Sequence, residues 1–462
     1  MKKFILSCCL FLFMSKMIFA QQEVSNLFGF ATSNTFTYCD LNDTNFFNKV
    51  IRLNPLLLRF PGGAVGNYYH FGGSGYGFDF EEIKKYDAGK FLKRSKGLVR
   101  SAQKKGHTHD YIDDFIKLAQ ATNAKVILVV NMFSYSDDIL HMIRKMKDNN
   151  IKISGIELGS ELTNRYFFQK GYTIEDYIKS CLYYAKKIKD FDSSIKIGVV
   201  AAPLGKKKNH RHNIWNNKLS KLDFYDAVIV HSYPKIIKGT SEYGQMTNEI
   251  TEEQLSVNQF KLYADRLINF FKYLFPQEIN SYYEIFNNKP IWITEWNLQM
   301  SKVTGNTMLQ ALFCVNYLLE ILANNNQITL TTYHNLGGRD YSGSIFKNYR
   351  ETVEIHSTYY PLKMISEIFT YKNVITTVKE VKSGLFEYRV FENNTLKKII
   401  ILNYSSTKHL FSMSNKNINI SSIFSKNLFD KPSFDGKLNS NFLQDYSGDL
   451  DIVPYSINFI DL

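Results

Sequence analysis

Beyond its first twenty residues the chain has no apolar run long enough to cross a bilayer, which takes about 20 consecutive apolar residues. Cysteine is scarce: five occur in 462 residues, and Cys8 and Cys9 fall in the apolar amino terminus. The remaining Cys39, Cys181 and Cys314 are too few for a disulfide framework and lack metal-ligand spacing. Stability therefore has to come from a large apolar core. The chain has no internal repeat and no low-complexity linker, and nothing in it matches a nucleic-acid-binding module. A Gly-x-Ser-x-Gly nucleophile elbow is also missing, because Leu158-Gly159-Ser160-Glu161 lacks the second glycine. That disfavours a hydrolase built on a Ser-His-Asp triad.

What the amino terminus does have is Lys2-Lys3, an apolar run from Phe4 to Met14, and Ala20 ahead of Gln21-Gln22. A basic start, an apolar stretch of this length and a small residue at the cut site describe a secretory signal peptide over residues 1–20. Export to a periplasmic or extracellular location is expected. The apolar run continues past Cys8-Cys9, which argues against a lipoprotein anchor. The net charge is +13, and cleavage would remove Lys2, Lys3 and Lys16. A basic exported protein favours acidic partners such as uronate-containing or sulfated polysaccharides, with a lysine-rich solvated surface as the plain alternative.

Short runs rich in β-branched and aromatic residues recur at Leu27 to Ala31, Leu56 to Phe60, Lys125 to Asn131, Gly155 to Gly159, Ile195 to Ala201, Ala227 to His231, Pro290 to Glu295 and Ile328 to His334. Continuous apolar runs separated by helical segments are the pattern of parallel strands covered on both faces. Between them, Ile112, Phe115, Ile116 and Ala119 share one helical face, as do Tyr177, Cys181, Tyr184, Ala185 and Ile188. Eight such units predict an α/β protein, a (β/α)8 TIM barrel over residues 21–369, with a doubly wound open sheet as the alternative. After a helix-like stretch from His356 to Phe369 the period changes to two, as in Phe386, Tyr388, Val390 and again Tyr455, Ile457, Phe459. Residues 370–462 are therefore read as a small all-β C-terminal sandwich.

Two glutamates close apolar runs: Glu161 in Gly155-Ile-Glu-Leu-Gly-Ser-Glu161 and Glu295 in Pro290-Ile-Trp-Ile-Thr-Glu295-Trp-Asn297. In such a barrel they lie at the C-terminal ends of the fourth and seventh strands, where barrel active sites are built. Two converging carboxylates are the minimum machinery for cleaving a glycosidic bond. Strand parity points Glu157 the same way as Glu161 but deeper, as a buried structural partner.

At this point the residues resemble clan A retaining glycoside hydrolases, and in particular the branch of heparanase-like β-glucuronidases and α-L-arabinofuranosidases. Leu58-Arg59-Phe60-Pro61-Gly62-Gly63 with Gly66-Asn67-Tyr68-Tyr69 is similar to the second-strand motif of that branch. His231-Ser232-Tyr233, His334-Asn335 and the closing Val453-Pro454-Tyr455-Ser456-Ile457 fit it too. The resemblance spans nearly the whole mature chain. It implies a double displacement in which Glu295 attacks the anomeric carbon. Glu161, kept protonated by apolar surroundings and the neighbouring negative charge, donates to the leaving oxygen. Arg59 would hold Glu295 ionised, Tyr233 would donate to it, and His231 would position substrate or nucleophile. His334 is placed in the substrate site with them. A carbohydrate substrate is implied; no organic cofactor and no metal is.

One position departs from the family. Its members usually carry Asn just before the acid/base, where this chain has Ser160, shorter but still donor and acceptor. A lost hydrogen bond costs about 0.5 to 1.5 kcal/mol, so the change slows catalysis without abolishing it. It also keeps open a non-catalytic carbohydrate-binding protein on the same barrel. Asn67 and Tyr68 contact substrate or simply flank a tight turn. Asn131 is a substrate ligand or a structural hydrogen bonder, and Trp296 is a sugar-stacking wall or a packed indole. His107 and His109 flank a helix start without metal-ligand spacing. Lys206 to Lys208 with His210, Arg211 and His212, in the loop after the fifth strand, grip an anionic sugar group or are merely solvated.

Overall fold

The computed structural model describes residues 23–205, 207–236, 257–299, 304–324, 326–339, 343–349, 352–412, 419–430 and 449–462. The expected signal peptide and Lys206 lie outside them. Eight parallel strands close into a barrel in sequence order: β1 (Gly29–Ala31), β2 (Leu57–Phe60), β3 (Lys125–Val129), β4 (Ile153–Leu158), β5 (Ile197–Val200), β6 (Ala227–Ser232), β7 (Ile291–Trp296) and β8 (Ile328–His334). Closure is made by β8 against β1, with Gly29 opposite Thr332 and Ala31 opposite His334. An open sheet is thereby excluded, and each of the eight apolar runs contributes one strand.

The two amphipathic patterns form helices over Tyr111–Thr122 and Ile174–Phe191, and the expected faces are buried. Asp110 caps the first by accepting from the Ile112 N–H, and Thr173 closes a capping box with Asp176 on the second. These caps satisfy backbone donors that the helix itself leaves unpaired.

Inside the barrel the lower layer is a small apolar plug of Leu57, Ile127, Ala227, Ile229, Leu330 and Trp292. Trp292 fits because two facing positions carry no side chain: a Cβ on Gly155 would stand 2.3 Å from its ring, and one on Gly198 2.7 Å. Large and small residues thus alternate to fill the interior. One pleat above this plug the inward positions become charged, and the site begins.

Past the barrel, β9 (Gly337–Gly338), β10 (Phe346–Tyr349) and β11 (Thr352–Ile355) make a three-stranded sheet. The stretch from His356 is a helix over Tyr359–Ile365 that tightens to a 3-10 turn over Ser366–Thr370. Then β12 (Val374–Lys382), β13 (Leu385–Glu392), β14 (Thr395–Asn403), β15 (His409–Ser412), β16 (Asn419–Phe424), β17 (Asp449–Ile452) and β18 (Ser456–Asp461) form a five-stranded sheet, ordered β12-β13-β14-β18-β16, and a β15-β17 pair. The sandwich is lopsided, and the larger sheet has both faces covered. Leu385, Ile399, Ile401 and Ile460 pack with Leu450 and Ile452 of the small pair. Phe386, Tyr388, Val390, Ile457 and Phe459 instead join the main core. There the Tyr388 hydroxyl lies within hydrogen-bond reach of the Asn316 and Glu320 side-chain oxygens on the barrel helix Met308–Asn324. That helix is buried along nearly its whole length because barrel and sheet enclose it.

Gly155→Ala is predicted to overpack the barrel against Trp292 and destabilise the fold by about 1–3 kcal/mol. Denaturant unfolding followed by tryptophan fluorescence measures it, and an unchanged midpoint would contradict this packing.

Candidate active site

Arg59 leaves β2 on the inward face and is fully buried. Its guanidinium makes a two-pronged contact with Glu157 of β4, Nε to Oε2 at 2.7 Å and Nη2 to Oε1 at 2.8 Å. Nη1 donates to Glu295 Oε1 of β7 at 2.8 Å, and Nη2 also reaches Ser160 Oγ at 3.2 Å. Burial disfavours the guanidinium charge, but Glu157 and Glu295 outweigh it and keep Arg59 firmly protonated. Glu157 is therefore the deep partner that parity indicated. One cation ties together three strands through two buried carboxylates.

Glu295 has a side chain only 5 % exposed. Besides Arg59 it accepts from the Tyr233 hydroxyl at 2.7 Å, with His231 Nδ1 at 3.6 Å and His334 Nε2 at 3.9 Å. Burial alone would favour its neutral form. His231, His334, Arg59 and the Tyr233 hydroxyl override that and hold the carboxyl far below the usual carboxylate range. The Tyr233 phenol is pushed well above its ordinary value by burial and by Glu295, so it stays a donor.

Glu161 is placed differently. After Leu158 the backbone turns through Gly159 (φ +82°) and Ser160 to Glu161 (φ +50°), a left-handed conformation uncommon outside glycine. Its side chain is 51 % exposed and meets His231 Nδ1 at 3.0 Å. The apolar enclosure expected around Glu161 is thus absent, and its notable neighbour is an imidazole. One oxygen each of Glu161 and Glu295 and a ring nitrogen of His231 all lie within 4.8 Å of one another.

His231 links the two carboxylates. Burial opposes its charged form, but Glu295 and Glu161 outweigh burial and raise its pKa. On the other side of the ring, Nε2 lies 3.3 Å from Thr294 Oγ1, whose hydroxyl donates to Glu157 at 3.2 Å. That hydroxyl has one proton to give, so it accepts from the imidazole, and Nε2 carries a hydrogen. His334 is driven the other way, towards neutrality, by burial despite the nearby Glu295. Its Nε2 meets Ser33 Oγ at 3.1 Å.

Thr294 was not among the candidates read from the sequence. The β6 to β7 register pairs Val230 with Ile293 and His231 with Glu295, leaving Thr294 as the extra residue of a bulge. The bulge lets two consecutive residues of β7 serve the site, where strict alternation would send one outward. Asn297 was likewise missed: its amide donates to the His334 carbonyl at 2.8 Å and fixes the end of β8.

For four other candidates the structure favours the structural alternative. Trp296 is stacked on Tyr317, centroids 4.5 Å apart and planes 13° from parallel, so its indole packs and offers no face to a sugar. Tyr68 is buried and stacked on Phe91 at 5.2 Å. Asn67 clamps the Ser160 backbone from both sides, donating to its carbonyl at 2.6 Å and accepting from its N–H at 2.9 Å. Asn131 ties Glu82 to the Phe133 N–H, at 2.9 Å each. These four lie behind the two glutamates and Arg59 as supports. Ser160, itself buried, turns its hydroxyl inward to Arg59.

Two cavities adjoin the pair and share Pro203 and Glu278. One of 290 Å³ touches Glu161 and His231; the other, of 500 Å³, touches Tyr233. Among the described residues, side chains that could converge on a metal ion are Glu161, His231 and Glu295, and separately His107, His109 and Asp114. In the first group the ligand atoms already hydrogen-bond within the site.

No protein-family model matches the chain, and no curated protein matches its sequence. Solved structures match its fold over nearly all its length. A family 51 α-L-arabinofuranosidase from Bifidobacterium longum superposes with a TM-score of 0.66 at 12 % identity, covering 96 % of each chain. The thermostable family 51 α-L-arabinofuranosidase from Thermotoga petrophila RKU-1 gives 0.60 at 15 % identity, over 96 % of this chain and 97 % of that one. A 4-O-α-L-rhamnosyl-β-D-glucuronidase from Fusarium oxysporum 12S gives 0.60 at 12 % identity, over 96 % and 97 %. At such identities the likeness is one of fold: this chain has the barrel-plus-sandwich architecture of these glycoside hydrolases.

Proposed function

We propose that the protein is an exported retaining glycoside hydrolase acting on a polysaccharide or its oligosaccharides, with Glu295 as nucleophile and Glu161 as acid/base. The observation that carries the reading is the contrast between two carboxylates with oxygens within 4.8 Å of each other. One is buried and locked ionised by Arg59 and Tyr233; the other is half exposed and hydrogen-bonded to a histidine. Retaining pairs stand about 5 to 5.5 Å apart, and inverting pairs need roughly 6.5 to 9.5 Å to admit a water. The separation supports retention.

In the first step Glu295 attacks the anomeric carbon as the bond to the leaving oxygen breaks, and Glu161 gives that oxygen its proton. In the second, Glu161 takes a proton from water, which displaces Glu295 from the same carbon. His231 bears on the proton that Glu161 gives: its pKa is raised, and its Nδ1 meets Glu161 at 3.0 Å, a contact through which the imidazole and the carboxyl can exchange a proton. Ser160 does not remove any of these groups, and this favours an enzyme over a degenerate binding protein. The likeness of fold to two arabinofuranosidases and a glucuronidase supports the reaction class and leaves the sugar open.

The reading is tested by mass-spectrometric product analysis on neutral, uronate-containing and sulfated glycans, with Glu295→Gln in parallel. Turnover is expected to fall at least about 10³-fold in the variant, with the fold unchanged by circular dichroism. Ordinary activity in Glu295→Gln would sink the assignment.

That contact also sets a pH dependence. A histidine with a raised pKa keeps its proton above the ordinary value of about 6.5, so the alkaline limb of kcat/KM is expected above that pH. In His231→Gln the histidine that sets this limb is gone, and the limb should move by at least about one pH unit. An unmoved limb would show that the imidazole does not set it.

A further inference from the structure

The cavity beside Glu161 is bounded by Thr163, Arg211, His212, Glu278 and Tyr282, and it does not touch Glu295. On the mechanism proposed above, the group that Glu161 protonates is the one that leaves, so this cavity lies on the leaving-group side. Two arginines, Arg165 and Arg211, line it, and Arg211 is the less exposed of the two. Arg211 opens the helix Arg211–Leu219 and is held without any acid. Nη1 donates to the Thr163 carbonyl at 2.5 Å, and the guanidinium lies over the Phe168 ring at 5.0 Å. Among the described residues no carboxylate comes within 4.0 Å of it, whereas Arg59, the buried arginine of the site, is paired with two.

Burial disfavours the Arg211 charge, and the groups that orient it here are uncharged. A carbonyl and an aromatic face orient a guanidinium but do not neutralise it. Next to it, the His212 imidazole is partly buried against the backbone of Thr163 and Pro203. Burial, then Arg211 and His210, push this imidazole down to about 4, so it is a neutral donor or acceptor rather than a second charge. Across the cavity Glu278 is pushed up to about 7 by burial. Below that pH it is an un-ionised acid, able to donate a hydrogen bond and not to repel an incoming anion.

We propose that this cavity is the leaving-group subsite and that Arg211 selects glycans carrying an anionic group, a carboxylate or a sulfate ester, on the residue that is released. The guanidinium fork can engage either anion with the donors that Thr163 leaves free. The inference rests on the glycosidase reading for the word leaving; the anion preference itself rests on Arg211.

The test uses oligosaccharides whose released residue is a free uronate, the same compounds as neutral methyl esters, and sulfated counterparts. The wild type is expected to show a kcat/KM for an anionic member at least tenfold above that for its neutral match. Arg211→Gln should collapse that ratio by tenfold or more, and Arg211→Lys should restore part of it. Preference for the uronate or for the sulfate names which anion is read, and either supports the proposal. A ratio that Arg211→Gln leaves unchanged, or a wild type indifferent to charge, overturns it. If the wild type cleaves none of the panel, the glycosidase reading fails separately, and calorimetric titration with the same acid and ester pair decides the subsite. Tighter binding of the acid, lost in Arg211→Gln, upholds it; equal binding of acid and ester rejects it.

Discussion

The Arg59 guanidinium carries one positive charge and faces two buried carboxylates, and the geometry of the site follows from satisfying that arrangement. Removing three charges from water is costly, and the cost is recovered only where geometry is good and spare lone pairs are occupied. Here the spare positions are filled by named groups: Thr294 on Glu157, Tyr233 on Glu295, and Ser160 on the guanidinium. The cluster still holds one more negative than positive charge. His231, with its raised pKa, supplies the balancing cation from the rim. Because Arg59, Glu157 and Glu295 come from three different strands, the same contacts that set the charge of Glu295 also fix the strand carrying it.

Burial then divides the work between the two glutamates. Glu295 sits beneath the rim with four polar neighbours, a position suited to a nucleophile that must be ionised and aimed. Glu161 stands on a left-handed turn with half its side chain in solvent, a position suited to exchanging protons with a leaving group and then with water. The imidazole between them couples the two roles, since a proton that moves from His231 to Glu161 changes the charge beside Glu295 at the same time.

Much of the architecture is legible in the sequence because burial on both faces of a strand leaves a continuous apolar signature, and each of the eight runs holds a strand. Parity indicated Glu157 as the deeper partner of Glu161, and the family resemblance implied the contact of Arg59 with Glu295. Other features depend on three-dimensional context that residue type does not carry. Tyr68 and Trp296 read as aromatic walls, but the rings of Phe91 and Tyr317 cover them. Thr294 joins the site only through a bulge, which breaks the alternation a sequence reading assumes. The alternating residues of β13 and β18 marked strands correctly, yet their large side chains face the helix Met308–Asn324 rather than the opposing pair of strands. The apolar enclosure of Glu161 was inferred from the role it needs to play, and the structure supplies a histidine in its place.

The account depends on Glu295 becoming covalently bonded to sugar during turnover. The direct measurement is to inactivate the protein with an activated 2-deoxy-2-fluoro glycoside of the sugar it releases and to map the modified peptide by mass spectrometry. The account predicts one sugar per chain, carried on Glu295. A label on any other residue, or full turnover of the reagent without a trapped intermediate and with an inverted product, would contradict it.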